Sequence, residues 1–185
     1  MHKISFSRKT IHLRPLILVA VDNPQNEYGI YVYNGATVTL DGPSISISLT
    51  GTSNDEWIEG VESYGDQDHG ASSLLNLGGA QTKNINVSVN VNSSKDSYAV
   101  GLFALRNGKI TLNGENLNIN VHSTNGQALG IQVQNGTTDV TEGDKKASLI
   151  IDAKNTVINA TSDKAESTGI HVISQGFYVP TAILK

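Results

Sequence analysis

Five aromatic or amide side chains and one imidazole recur at matching phase along this chain: Tyr31, Tyr33, Phe103, Gln132, Gln134 and His171. Phe103 and Gln132 are 29 residues apart, and His171 follows 39 residues later. Aromatic faces stack on sugar rings and amides hydrogen-bond to hydroxyls, so the six are candidate binding residues for a glycan or a protein surface. A structural side-chain ladder is the competing use of the same residues. Other chemistry is hard to find. The acids Asp55, Glu56, Glu59, Glu62, Asp66 and Asp68 cluster ahead of His69. Asp66-Gln67-Asp68-His69-Gly70 starts like a calcium loop, but its glycine comes early and Leu77 stands where a bidentate glutamate is needed. The cluster is therefore expected to be a solvated insertion. His2, His12, His69, His122 and His171 show no metal-ligand spacing. With no cysteine, disulfides and thiolate metal sites are excluded. The serines lack a Gly-x-Ser-x-Gly elbow, and no Lys-Ser/Thr follows Gly78-Gly79 to make a phosphate loop. Asn86, Asn92, Asn135 and Asn159 open glycosylation sequons of the kind an Asn- and Thr-rich chain contains by chance. No catalytic residue, metal site or cofactor is expected.

What places the six residues in phase is an internal repeat. Tyr28-Gly29-Ile30-Tyr31-Val32, Val100-Gly101-Leu102-Phe103-Ala104, Leu129-Gly130-Ile131-Gln132-Val133 and Thr168-Gly169-Ile170-His171-Val172 align without gaps, and a weaker copy begins at Gly60-Val61-Glu62. Turns follow at Asn34-Gly35, Asn107-Gly108, Asn135-Gly136 and Gln175-Gly176. Second strands match at 37–40 and 109–112, and third strands at 44–49, 84–91 and 117–121. The repeated glycines lie 31, 41, 29 and 39 residues apart, so the unit is about 29 residues, with insertions at 62–73 and 141–147. Along 117–121, Leu117, Ile119 and Val121 alternate with Asn118 and Asn120, the period of a strand with one buried face.

Asn-Gly between strands is also the strongest hairpin signal. A hairpin does not explain why matching residues return about 29 positions later. Stacked coils do. Each strand then pairs in parallel with its counterpart about 4.8 Å along an axis, and neighbouring coils bury a face that one coil cannot bury alone. The expected fold is an all-β, right-handed parallel β-helix of about five coils, incomplete at its ends. The expected columns are Ile30/Leu102/Ile131/Ile170, Val32/Ala104/Val133/Val172, Val38/Ile110, Leu40/Leu112, Ile47/Ile119/Ile158 and Leu49/Val121/Ala160. Glycine at the repeat phase is expected to allow a left-handed or tight corner.

Ala-x-Gly-Ile-x-Val, Asn-Gly, Thr-Val-Thr-Leu and then alternating Asn/Ile/Val resembles the passenger of type V secreted, pertactin-like autotransporters. Residues 128–140 resemble it most, and the likeness spans about 28–176. The resemblance implies a secreted or cell-surface scaffold, associated with the bacterial outer membrane, with an adhesin-like role and a host glycan or protein as partner. A carbohydrate-active β-helix, lyase- or hydrolase-like, is the alternative, and a purely structural spacer is a third reading. β-Helical enzymes usually carry their acids on the outer face of one sheet. In the four clear repeats the outer columns hold Tyr31/Phe103/Gln132/His171 and Tyr33/Leu105/Gln134/Ile173, without Asp, Glu, Lys or Arg. That composition argues against an enzyme.

Composition agrees with an all-β chain. Only 16% of the 185 residues are charged and 5% aromatic, against about a quarter charged in an ordinary domain. Low charge with many β-branched residues is not the signature of disorder. The net charge is −4, so phosphate-driven nucleic-acid binding is not expected. The first 14 residues are basic through Lys3, Arg8, Lys9 and Arg14, whereas the remainder carries a balance of −8. Residues 1–24 therefore form a separate basic segment ahead of repeats over 25–185: a degenerate signal built on the apolar run 15–21, or a strand cap. No stretch reaches the roughly 20 apolar residues of a membrane helix. Open coil ends predict end-to-end self-association.

Overall fold

The structure, a computed structural model, describes residues 4–7, 10–13, 16–22, 28–52, 57–66, 71–92, 97–135, 146–173 and 183–184. These residues form strands and turns, with no helix among them. In chain order the strands are β1 (Ile4–Ser7), β2 (Thr10–Leu13), β3 (Leu16–Asp22), β4 (Tyr28–Tyr33), β5 (Thr37–Leu40), β6 (Ser44–Thr52), β7 (Trp57–Tyr64), β8 (Ser73–Gly78), β9 (Asn84–Asn92), β10 (Tyr98–Leu105), β11 (Gly108–Ser123), β12 (Gln127–Gln134), β13 (Ser148–Ser162), β14 (Ser167–Ile173) and β15 (Ile183–Leu184). Six of them make one sheet in the order β1-β4-β7-β10-β12-β14. The other nine make a second, curled sheet, in which the long β11 pairs with β8 through its first half and with β9 through its second.

Every ladder between these strands is parallel, and each joins residues at equal phase of the repeat. Ile30, Val61, Leu102, Ile131 and Ile170 are register partners in succession. So are Val38, Leu75, Ile110 and Leu149, and so are Ile47, Val87, Ile119 and Ile158. The aliphatic columns read from the sequence are present, each with an added member from the second repeat. They merge into one core to which both sheets contribute. Complete burial of a side chain such as Leu102 or Ile119 contributes about 1.5–3 kcal/mol, and a column repeats that gain at each level.

The second repeat departs from its neighbours at Ser63, which stands between Val32 and Ala104. Its buried hydroxyl donates to the Ser73 carbonyl at 3.0 Å and accepts from the Lys109 N–H at 3.2 Å. A polar atom in the interior is thereby satisfied. The Asn34-Gly35 turn closes with the Ala36 N–H donating to the Tyr33 carbonyl, both central residues having positive φ (60° and 76°). This is the backbone of a hairpin turn. Here it leads the chain from β4 in one sheet to β5 in the other.

The repeated glycines serve a different purpose from the one expected. Positive φ among the described glycines occurs at Gly35, Gly51 and Gly78, not at the repeat phase. A Cβ on Gly101 would sit 2.5 Å from the Gly130 carbonyl oxygen and 2.6 Å from an Ile119 methyl, and one on Gly60 would lie 2.7 Å from the Gly101 oxygen. The column exists because adjacent backbones and core side chains leave no room for a side chain, not because the corner is left-handed.

Outside the core, asparagines form ladders. The Asn155 amide donates to Asn116 at 3.0 Å and Asn116 donates to Asn84 at 3.2 Å, while Asn118 donates to Asn86 and Asn159 to Asn120. The N-terminal segment joins the same scheme: β1, β2 and β3 pair in parallel with β4, β5 and β6. The apolar run read as the core of a signal is strand β3. Along Ile170 and Val172, in β14, exposure rises to 37% each.

Gly101→Ala is expected to cost about 1–3 kcal/mol, read as a lower urea midpoint at unchanged slope. Gly169→Ala, where no atom of the described residues lies within 4 Å of the new Cβ, is expected to stay within about 0.5 kcal/mol of the parent. Equal losses at both positions would contradict the close-approach account. Asn116→Ala removes a donor and an acceptor from its ladder and is expected to cost about 1–2 kcal/mol in the same assay.

Candidate functional site

The six-stranded sheet carries a cleft on its outer face. Strand β7 lies between β4 and β10, with Glu59 opposite Tyr28 and Val100, and Glu62 opposite Tyr31 and Phe103. The two carboxylates form the floor, only 2% exposed each, and aromatic rings on either side form the walls. In a regular strand residues three apart face opposite ways. Here Gly60 and Val61 both face the core, as the contacts of each show, which brings Glu59 and Glu62 to one side. The cleft measures about 310 Å³ and is lined by Tyr28, Tyr31, Trp57, Glu59, Glu62, Tyr64, Phe103, Leu105 and Gln134.

The walls are ordered stacks. Tyr31 lies between Tyr28 and Tyr33, at ring-centroid distances of 4.4 and 4.8 Å with near-parallel planes, and meets Tyr64 edge-on at 6.4 Å. Trp57 stacks on Tyr98 at 4.4 Å and on Phe103 at 5.5 Å. Val100, Phe103 and Leu129 make a small apolar cluster beneath the second stack, separate from the main core. The central ring of each stack, Tyr31 and Trp57, is held on both sides, which preorders the walls before any ligand arrives. The Arg106 guanidinium lies over the Tyr64 ring, 5.2 Å from its centre. The Tyr31 phenol is pushed well above its ordinary value, first by burial and then by the Glu62 carboxylate, with Tyr64, Tyr33 and Glu59 adding to it.

Of the six residues singled out in the sequence, Tyr31, Phe103 and Gln134 line the cleft. Tyr33 supports it by stacking on Tyr31. Gln132 is fully buried beside Phe103 and donates to the Gln134 side chain at 2.9 Å. His171 continues the column as the register partner of Gln132 and is exposed. The other lining residues, Tyr28, Trp57, Glu59, Glu62, Tyr64 and Leu105, were not among the six; Glu59 and Glu62 read in the sequence as part of the acidic cluster and Leu105 as part of an outer column. Extending the weak copy at Gly60 in both directions would have set Trp57 opposite Tyr98 and Tyr64 opposite Tyr33. The acid-free outer column needs correction, because Glu62 occupies it between Tyr31 and Phe103. Glu59 and Glu62 are likewise not part of a solvated insertion: both belong to β7, and the extra residues begin after Tyr64. Asp66 bridges to Ala71, whereas Asp55, Glu56, Asp68, His69 and most of the insertion at 141–147 lie outside the described residues.

A second, more polar cleft of about 280 Å³ lies by the turn between β8 and β9. Its edge carries the exposed Lys154–Glu115 ion pair at 2.8 Å, and Thr82 knits the turn by donating to the Gly42 carbonyl and accepting from the Gly79 N–H. Among the described residues no group of three or more His, Cys, Asp or Glu could hold a metal ion, and no helix is long and apolar enough to cross a membrane. No protein-family model, no curated protein and no solved structure matches this chain.

Burial that holds the Tyr31 phenol protonated makes alkaline stability testable. A phenol raised in the folded state contributes stability that is complete below its ordinary value of about 10 and is lost as pH climbs toward the folded value. Phenolate absorbance is expected to include a late-ionising step above the ordinary tyrosine range, with Tyr31→Phe removing it. An unchanged late step in the variant would place the buried phenol elsewhere.

Proposed function

We propose that the chain winds as a right-handed parallel β-helix, part of a cell-surface or secreted autotransporter-type passenger, and that it serves as a non-catalytic, adhesin-like scaffold whose cleft binds glycan. The winding is supported by parallel ladders at equal phase of the repeat, and the hand by the rule for parallel crossovers. One observation carries the binding reading: two rigid aromatic stacks flank a pair of carboxylates in a single open cleft. Flat rings match the apolar faces of pyranoses, and carboxylate and amide oxygens match their hydroxyls. The extent of the aromatic lining favours binding over a spacer that only holds distance.

A second reading has a specific observation in its favour. Glu59 and Glu62 share the cleft floor, and glycoside hydrolysis uses two carboxyl groups flanking one bond. A carbohydrate-active β-helix is distinguished by incubating the chain with neutral and acidic polysaccharides. New reducing ends indicate a hydrolase and new unsaturated ends a lyase, and either would displace the scaffold reading.

A glycan array is expected to show a defined set of ligands for the parent chain. Trp57→Ala with Phe103→Ala is expected to weaken them by roughly ten-fold or more, since each lost stacking contact costs on the order of 1 kcal/mol. Silence across the array would favour the structural spacer. Among the described residues β1 and β14 are the outer strands of the six-stranded sheet, and pairing through such edges would give concentration-dependent end-to-end assembly; a single monomer boundary in sedimentation at all concentrations would count against it.

A further inference from the structure

Resting on the end-to-end association proposed above, we infer that the outer edge of β14 is a docking surface for a second copy of this chain, which enters with β1 and β3 at the phase and in the parallel sense of the internal levels. The repeat glycines carry the argument. A Cβ on Gly29, Gly60, Gly101 or Gly130 would lie between 2.5 and 2.7 Å from the carbonyl oxygen of the glycine one level on. Gly169 is the next member of that column, and there no atom of the described residues lies within 4 Å of the added Cβ. Each earlier glycine is required by the level that covers it, so Gly169 is the residue that one further level would require. The core phase of β14 agrees: Ile170 and Val172, register partners of the buried Ile131 and Val133, are exposed.

A second copy supplies that level. β1 pairs with β4 with Ile4 opposite Ile30 and Phe6 opposite Val32. Continuing the ladder by one step sets Ile4 on Ile170, Ser5 on His171 and Phe6 on Val172. In the second sheet, Val19 and Val21 of β3 share the phase of Ile158 and Ala160, which are only partly buried against the core. Among the described residues β15 meets β13 at Ile150 and Ile151, the place of an incoming β2, so it competes with one of the three entering strands. Charge sets the polarity. The first 14 residues carry Lys3, Arg8, Lys9 and Arg14 without an acid, whereas the remainder has a balance of −8. A basic end is therefore drawn to the acidic body of another copy and repelled by its like. Two unlike surfaces that meet along the axis do not close as a two-fold pair does, and the product is an open filament.

The test is sedimentation velocity of the full chain over a wide concentration range, beside urea unfolding in dilute solution. Gly169→Ala is expected to leave the dilute urea midpoint in place and to raise the concentration of half-assembly roughly ten-fold or more, through crowding like that at Gly101. Ser5→Cys with His171→Cys in one chain is expected to give, on mild oxidation, a disulfide-linked series of dimers, trimers and longer products. Ser7→Cys with His171→Cys, two residues out of register, is expected to stay largely unlinked. Assembly that ignores Gly169→Ala, or that links the second pair as readily as the first, would overturn this docking surface and leave end-to-end association standing. A dilute midpoint lowered as much by Gly169→Ala as by Gly101→Ala would mean that the chain's own residues cover β14, and would overturn it too. A monomer at every concentration would overturn the association itself.

Discussion

Parallel pairing at equal phase puts every side chain about 4.8 Å from its own counterpart, so each position of the repeat must tolerate itself. Most of the composition follows from that constraint. Aliphatic side chains stack on themselves without cost and fill the interior. Asparagine donates to one copy of itself and accepts from another, as along Asn84, Asn116 and Asn155. Glycine persists where neighbouring backbones come too close for any side chain. Charge is the one property that cannot repeat, because like charges opposite each other repel. The low share of charged residues is the consequence. Where charge does occur it is placed beside neutral or opposite partners: Glu62 between Tyr31 and Phe103, and Glu115 next to Lys154.

The same constraint explains why the acids of the cleft sit together on one strand. A column of glutamates would push the levels apart, so acids on the outer face can be collected only on one strand and must be flanked by something else. Strand β7 collects them, and β4 and β10 flank them with rings that stack on one another. The inward turn of both Gly60 and Val61 then sets the two acids on one side. The site is made by a single irregular repeat set between regular ones, which is where a periodic scaffold can depart from its pattern with least disturbance.

That irregularity also decided what was legible in the sequence. Ile30, Leu102 and Ile131 align because their column is chemically uniform, and the parallel register was readable from them. The second repeat resisted because Ser63 replaces an aliphatic residue, Glu62 replaces an aromatic or amide one, and extra residues follow Tyr64. In the N-terminal segment, Ile17, Val19 and Val21 pair with Ile45, Ile47 and Leu49. Leu18 and Ala20, which pair with serines, are apolar too. Period two is lost there, and the strand reads as a continuous apolar run. The binding stripe was legible as far as residues recur; Glu59 and Trp57, which do not recur, emerged only once the register was known.

The register itself can be measured in solution, since the chain has no cysteine of its own. Paired substitutions Asn86→Cys and Asn118→Cys join register partners whose Cα spacing falls in the disulfide range of about 4.4–6.8 Å. Paired substitutions Asn90→Cys and Asn118→Cys place the same residue types four positions out of register on the same face. Mild oxidation is predicted to close the first pair within one chain and to leave the second as free thiols. Ready closure of the second pair, or resistance of the first, would contradict in-register stacking and with it the cleft that the stacking builds.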